Sequence, residues 1–478
     1  MTAAGEARPD DEDTGSGPRL STTLGLLVAA WGAAVASYPL TDNSFLTHLA
    51  TGRLILEDGA VPGSDPYTFT ARGTDWVVQS WLPSTIYAAA EQIAGTAGLR
   101  AVVLVLTTAA AAVLWLVSRP CTSVVPRLAL VLAGLYITTD LWGERPYMVG
   151  VVGLGLVWLA LDGRLPPWTL VPSFWIWANS HGSYALGVAL VALALLGRWL
   201  DGESVDAERR VLAWSIAGVL SAVVGPLGLE VLLFPLTALT KSDILREIVE
   251  WKPATYRSLD QQLFLVLVAV TLLAVVRRRS WRFALPAIAF SLAAVVAQRN
   301  IVMAVMVLVP IAAASLPSFG TLRVDRRPVL GRAYVFVGVA SLALAASYSV
   351  GQPFGPLSAY PQYPLAWIGA DDVEARIATP DVVGNLLTNL DGADADVFVD
   401  DRVDMLPEDL VRDSITLLRG APAWSAVLEE YQIDVVIWSR DRPLRQIVAA
   451  DERWRVVLSD RQWTLACRRG PGCDSLER

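Results

Sequence analysis

Apolar runs separated by short polar segments recur from Thr22 to Val350 and then stop. Most approach the roughly 17 to 25 residues that a helix needs to cross a hydrocarbon core. The pattern predicts about eleven transmembrane helices, at 22–40, 98–118, 125–141, 147–162, 167–181, 183–199, 211–229, 261–276, 282–298, 301–318 and 332–350. The run from Leu20 to Leu40 is longer than a usual signal core and follows a long acidic tail. It is therefore read as an uncleaved first span, despite the small residues Ala34 to Ala36. Residues 1–20 become a disordered cytoplasmic tail, rich in Gly, Asp and Glu, and 21–350 a transmembrane domain.

Two segments break the rhythm. The stretch 41–97 is too long for a mere connector. It has a turn-rich centre, Gly59 to Pro66, followed by Ser80 to Ala94, where Trp81, Leu82, Ile86, Tyr87 and Ala90 fall at helical spacing and predict an interfacial amphipathic helix. Beyond Val350 a Pro-rich linker (351–365) leads to short strand patterns at 396–400, 434–438, 454–458 and 463–467. Helical stretches near 408–419, 424–431 and 441–450 separate them. Residues 351–478 thus read as a small α/β domain, and the fold class is mainly α, a polytopic membrane protein with a C-terminal α/β extracytoplasmic domain.

Charge adds orientation. Arg119, Arg127, Arg164, Arg198, Arg209, Arg210, Arg277 to Arg279, Arg282, Arg323, Arg326, Arg327 and Arg332 all fall between spans on one side, which the positive-inside rule makes cytoplasmic. The opposite side receives 41–97, 230–260, the turns at Glu144 to Pro146, Ser180 to Gly182 and Arg299–Asn300, and everything after Val350. Composition agrees with a membrane chain: 54% of residues are hydrophobic and 18% charged. A net charge of -8 excludes the basic footprint of a nucleic-acid binder. Of three cysteines, Cys467 and Cys473 either pair near the C-terminus or remain free thiols.

Ionisable groups at the ends of spans are the candidates for chemistry, because hydrocarbon tolerates them poorly. On the outer side these are Asp42, His48, Arg53, Asp65, Arg145, Asn179, His181, Glu250 with Trp251, and Arg299 with Asn300. Lys241, Arg246, Lys252 and Arg257 run against the charge trend there, as expected of a cavity that takes an anionic group. Each has a plainer reading: a solvated helix end for Asp42, satisfied interface residues for the histidines, headgroup contact for Arg145 and the basic run, a loop anchor for Glu250–Trp251. No His-Glu-x-x-His or Cys-x-x-Cys spacing marks a metal site, and neither a phosphate loop nor a dinucleotide fingerprint is present, so no cofactor is expected.

The stretch DNSFLTHLATGRLILEDGAVPGSDPYTFTARGTDWVVQSWLPS (42–84) resembles the first outer loop of a group of bacterial polytopic proteins similar to the type-C glycosyltransferases. These include protein mannosyltransferases, aminoarabinose transferases and oligosaccharyltransferases. ERPYMVG (144–150), WIWANSHGSYALG (175–187), VVGPLG (223–228), IVEWKP (248–253), AQRN (297–300), VFVDDRVDML (397–406) and IDVVIW (433–438) extend the resemblance over most of the chain. It implies a polyprenyl-phosphate-linked sugar donor, a saccharide, lipid or protein acceptor, and an acidic base just after the first span. That position is Asp42, with Asp65 as rival; His48, Arg53, Arg145, Asn179, His181, Glu250, Trp251, Lys252, Arg299 and Asn300 become donor- or acceptor-binding candidates. Where many relatives carry a second acid and a Trp pair, this chain has Ser44, Leu46 and Thr47, leaving a single base. The alternatives are a flippase or transporter of a lipid-linked saccharide, for which no paired broken helices stand out, and a non-catalytic envelope assembly protein.

Overall fold

The computed structural model describes residues 20–40, 42–240, 249–316, 328–353, 355, 360–361, 364, 375–470 and 473. The N-terminal tail, Lys241, Arg246 and most of the linker 351–365 lie outside the described residues. The membrane part comprises α1 (Leu20–Val35), α2 (Asn43–Asp58), α3 (Trp81–Val117), α4 (Val124–Thr138), α5 (Met148–Leu161), α6 (Leu170–Ala178), α7 (Tyr184–Leu200), α8 (Asp206–Ser221) and α9 (Glu230–Thr240). It continues with α10 (Leu259–Arg278), α11 (Trp281–Val296), α12 (Ile301–Ser315) and α13 (Pro328–Val350).

Among the described residues, five helical segments are long and apolar enough to cross a membrane: Trp81–Val117, Val124–Leu141, Leu259–Arg278, Gln298–Ser315 and Gly331–Val350. Leu20–Val35, Met148–Leu161, Tyr184–Leu200 and Trp281–Val296 are shorter apolar helices. The run at 167–181 is not one continuous span. Two prolines, Pro166 and Pro167, start it as a short 3-10 turn, and α6 covers only nine residues before the turn at Asn179. Likewise α8 ends at Ser221, and the segment expected as loop from Glu230 begins with α9.

The outer loop carries more helix than its pattern predicts. Asp42 caps α2 by accepting the Ser44 N–H at 3.0 Å, and Gly59, at φ 65°, closes it in the left-handed conformation. Phe45 and Leu49 pack on Tyr87, Ala88, Leu99 and Val103 of α3. The crossing is close because Gly52 lies against the Ser84 carbonyl, where a Cβ has no room. The helix expected at 80–94 and the span expected at 98–118 form one kinked helix, α3, broken where Gly95 takes φ 55°.

Among the described residues, Arg127, Arg164, Arg198 and Arg282, sorted by sequence to one side, bond to helix ends there. Arg127 donates to Ser21 Oγ at 3.1 Å and to the Trp115 carbonyl at 2.6 Å, tying α4 to α1 and α3. Arg282 reaches the Leu161 carbonyl at 2.9 Å and Glu208 at 2.9 Å, joining α11 to α5 and α8. At the other end Arg100, fully buried, donates to the carbonyls of Ala36 at 2.8 Å and Pro353 at 2.5 Å, so it ties α3, just past its kink, to the C-terminal ends of α1 and α13.

After α13 come β1 (Ile377–Ala378), α14 (Asp381–Asp391), α15 (Glu408–Arg419), α16 (Trp424–Glu430), β2 (Val435–Ser439), α17 (Pro443–Ala450), β3 (Trp454–Ser459) and β4 (Trp463–Arg468). The sheet order is β1-β2-β4-β3, with β1 parallel to β2 and the other pairs antiparallel. The strand expected at 396–400 is not part of this sheet. Val397 instead pairs with the outer loop, its N–H donating to the Tyr67 carbonyl at 2.9 Å and its carbonyl accepting from Phe69 N–H at 3.0 Å. Its β-propensity was satisfied by a distant partner, and two residues at 377–378 fill the fourth strand position. Tyr67, Ala71, Trp76 and Val78 of the loop share one core with Phe398, Leu406, Leu428 and Trp438, so the α/β domain is docked on the loop rather than suspended from the linker. Cys467 and Cys473 form a disulfide, their Cα atoms 5.5 Å apart.

Candidate active site

At the end of the bundle opposite the arginine collar, the start of α2 meets the α4–α5 turn. The Asp42 N–H donates to Glu144 Oε1 at 2.8 Å, and the Glu144 carbonyl accepts the Tyr87 hydroxyl at 2.6 Å. Backbone and capping contacts therefore fix Asp42 before its carboxylate does anything. One oxygen accepts from Ser44, at 3.0 Å from the amide and 2.5 Å from the hydroxyl; the other accepts from Arg145 Nε. Arg145 Nη1 then donates to Glu250 at 2.5 Å. The three groups form a chain from inside to outside: the Asp42 side chain is 11% exposed, Arg145 36% and Glu250 42%. Burial opposes the Arg145 charge, but Asp42 and Glu250 outweigh it and raise its pKa above the ordinary value.

Arg299 lies over the Trp251 ring, 4.4 Å from its centroid, and its charge feels both Glu250 and Arg145. His181 accepts the Ser183 N–H on Nδ1 at 3.1 Å and meets the Tyr147 ring edge-on, centroids 6.4 Å apart. Burial, then Arg299 and His48, push its pKa down to about 3. His48 Nδ1 lies 3.1 Å from Ser80 Oγ and 3.3 Å from Ser84 Oγ; burial lowers its pKa to about 4 against the pull of Asp42. Both imidazoles are thus neutral at neutral pH and act as polar walls rather than cations.

Asp42, Arg145, Glu250, Trp251 and Arg299 therefore come together, with His48 and His181 beside them. Other candidates sit elsewhere. Arg53 is held by Glu91 in a two-pronged pair at 2.7 Å and by the Asn389 carbonyl at 2.8 Å. Asp65 is buried beneath the α/β domain, accepting from the Tyr67 and Thr68 amides and from Arg402 at 2.5 Å. Asn179, fully buried, joins α6 to α3 by accepting from Trp81 Nε1 at 2.9 Å, and Asn300 caps α11 through the Ala293 carbonyl at 3.0 Å. Lys252 contributes its carbonyl to Gln298 N–H at 2.9 Å, while its side chain is exposed.

Two further acids belong to the site, Glu144, which fixes the Asp42 backbone, and Asp401, half-buried in the loop that follows Val397. Burial raises the Asp401 pKa well above the carboxylate range, reinforced by Asp400, Asp381 and Asp42. The signals were present: Glu144 belongs to ERPYMVG and Asp401 to VFVDDRVDML. Both Asp42 oxygens accept hydrogen bonds, one from Ser44 and the other from Arg145.

A bundle of apolar helices, a long structured loop after the first helix and an α/β domain seated on that loop make up the fold. Solved structures of the Archaeoglobus fulgidus oligosaccharyltransferase resemble this chain. The apo form has a TM-score of 0.58 at 11% identity, covering 87% of this chain and 69% of that one. The same enzyme tethered through a disulfide bond to an acceptor peptide containing the NVT sequon has a TM-score of 0.53 at 12% identity, with 87% and 69% covered. No protein-family model and no curated protein matches the sequence.

Proposed function

We propose that this chain is an inverting glycosyltransferase that moves a sugar from a polyprenyl-phosphate donor to an acceptor hydroxyl on the outer face of a bacterial plasma membrane. The observation that carries this reading is the Asp42–Arg145–Glu250 chain of ion pairs at the domain-covered end of an apolar bundle. It sets a carboxylate base beside a phosphate-binding guanidinium, where a lipid tail remains in the bilayer. The acceptor proton passes to Asp42 as the acceptor oxygen attacks the anomeric carbon; the bond from that carbon to the phosphate oxygen breaks, and the polyprenyl phosphate leaves with the electron pair. One displacement inverts the anomeric centre. The incoming phosphate competes for the Arg145 fork and draws it from Asp42, freeing the oxygen that takes the proton. Arg299 stands beside Glu250 as a second positive group for the leaving phosphate.

Arg145→Lys tests the phosphate role. An ammonium cannot reproduce two directed hydrogen bonds, so turnover should fall by at least about tenfold, more than donor affinity does. Wild-type turnover in both Arg145→Lys and Arg299→Lys would assign these arginines to headgroup contact.

The orientation has support from two independent sources. The arginine collar marks the opposite end as cytoplasmic, and the disulfide Cys467–Cys473 belongs in an oxidising compartment. In intact cells an impermeant thiol reagent should label Ser44→Cys and spare Arg278→Cys. The reverse pattern would invert the topology and remove the site from the outer face.

A further inference from the structure

The C-terminal domain reaches the start of α2 through a buried amide. Asn385, fully buried on α14, accepts the Thr47 hydroxyl at 2.9 Å and the Asp401 N–H at 3.1 Å, and donates to the Asn43 carbonyl at 3.2 Å. The first turn of α2, which Asp42 caps, and the backbone of Asp401 are thereby held by the same side chain. Gly384, next to it, sits against the Val399 carbonyl with no room for a Cβ, so α14 and the 397–401 segment pack in direct contact. We infer that Asp401 is the acceptor-side carboxyl of the site, lent by the C-terminal domain, and that it hydrogen-bonds the acceptor and turns its hydroxyl toward Asp42. This deepens the glycosyl-transfer reading above and rests on it.

The groups that face Asp401 explain how it does so. Asp42 from the start of α2, Asp381 from the first turn of α14 and Asp400 beside it all oppose a second negative charge, while Arg402 favours one. Arg402 is already spent on Asp400 and Asp65. Tyr360 from the linker faces the same place: burial raises its pKa, and Asp42, Asp401 and Glu144 raise it further. A carboxyl so placed holds its proton more tightly than an ordinary aspartate, and its O–H donates to the acceptor. Two carboxyls then flank one acceptor hydroxyl, Asp42 taking its proton and Asp401 fixing its oxygen or a neighbouring hydroxyl.

The test uses the full-length protein in detergent with a short-chain polyprenyl-phosphate hexose as donor and an alkyl glycoside as acceptor. Released polyprenyl phosphate and glycosylated acceptor are measured separately, which divides turnover between hydrolysis and transfer. Asp401→Ala should lower the ratio of transfer to hydrolysis by about tenfold and raise the acceptor KM, since one hydrogen bond to the acceptor is lost. Asp401→Asn, whose amide also donates, should restore most of that ratio. Wild-type transfer should fall as pH rises through the raised Asp401 pKa, because deprotonation removes the donor; in Asp401→Asn that limb should vanish. An unchanged ratio in Asp401→Ala, or the wild-type alkaline limb persisting in Asp401→Asn, overturns the assignment. Asp401→Asn decides the matter by its pH profile even where Asp401→Ala does not fold. The parent reading fails differently: wild type and Asp42→Asn would then release the same polyprenyl phosphate.

Discussion

Asp42→Asn is expected to lower sugar transfer by at least about 100-fold, the usual scale for losing a positioned general base. The amide keeps the shape of the side chain and its capping oxygen, so the Ser44 N–H contact that starts α2 survives. Glu144 still holds the backbone at residue 42, and Arg145 keeps Glu250. The loss should therefore appear in turnover, with the elution profile and thermal midpoint of the detergent-solubilised protein close to wild type. Asp65→Asn offers the contrast. Asp65 lies beneath the docked domain, with its oxygens taken by two amides, a hydroxyl and Arg402. Its substitution should lower stability more than turnover. Transfer by Asp42→Asn within a few-fold of wild type would remove Asp42 from the mechanism.

What the sequence made legible follows from which interactions are local. Apolar length alone located the helices that carry α3, α4, α10 and α12, and two arginines of the one-sided set, Arg198 and Arg282, meet on Glu208. Asp42, Arg145, Glu250 and Arg299 were found as ionisable groups at span ends, and the fold then brought them together. The α2 helix escaped notice because its buried face includes Thr47, Thr51 and Gly52, which blur the apolar period. The 396–400 segment misled for the opposite reason: its local pattern is that of a strand, but its partner is Tyr67 of the outer loop. Asp401 lies in the VFVDDRVDML stretch, but its place in the site, like that of Asn385, is set by distant parts of the chain. Nothing in their neighbourhood along the chain reveals that they lie against the N-terminus of α2.

The second large effect is expected at Arg402, where stability rather than chemistry is at stake. Its guanidinium bonds Asp65 at 2.5 Å and Asp400 at 2.6 Å, and lies over the Trp76 ring at 4.3 Å and the Tyr67 ring at 4.8 Å. The side chain is 7% exposed and both carboxylates are fully buried. Arg402→Ala strips the only cation the structure gives these two acids among the described residues and leaves uncompensated buried charge, a loss of about 3–5 kcal/mol. Because one carboxylate comes from the outer loop and the other from the C-terminal domain, the loss falls on their docking. Hydrogen exchange reports it directly: the amides of Phe69 and Val397, which pair across that interface, should exchange about 100-fold faster or more. Neutralising the acids as well, in Arg402→Met with Asp65→Asn and Asp400→Asn, should recover much of the protection, since an apolar replacement of a buried ion cluster is often tolerated. Undocking should also reduce transfer, because Asn385 and Asp401 leave the N-terminus of α2 together with the domain. Wild-type exchange at Phe69 and Val397 in Arg402→Ala would mean that the shared apolar core of Tyr67, Trp76, Phe398 and Leu406 holds the domain without the ion cluster.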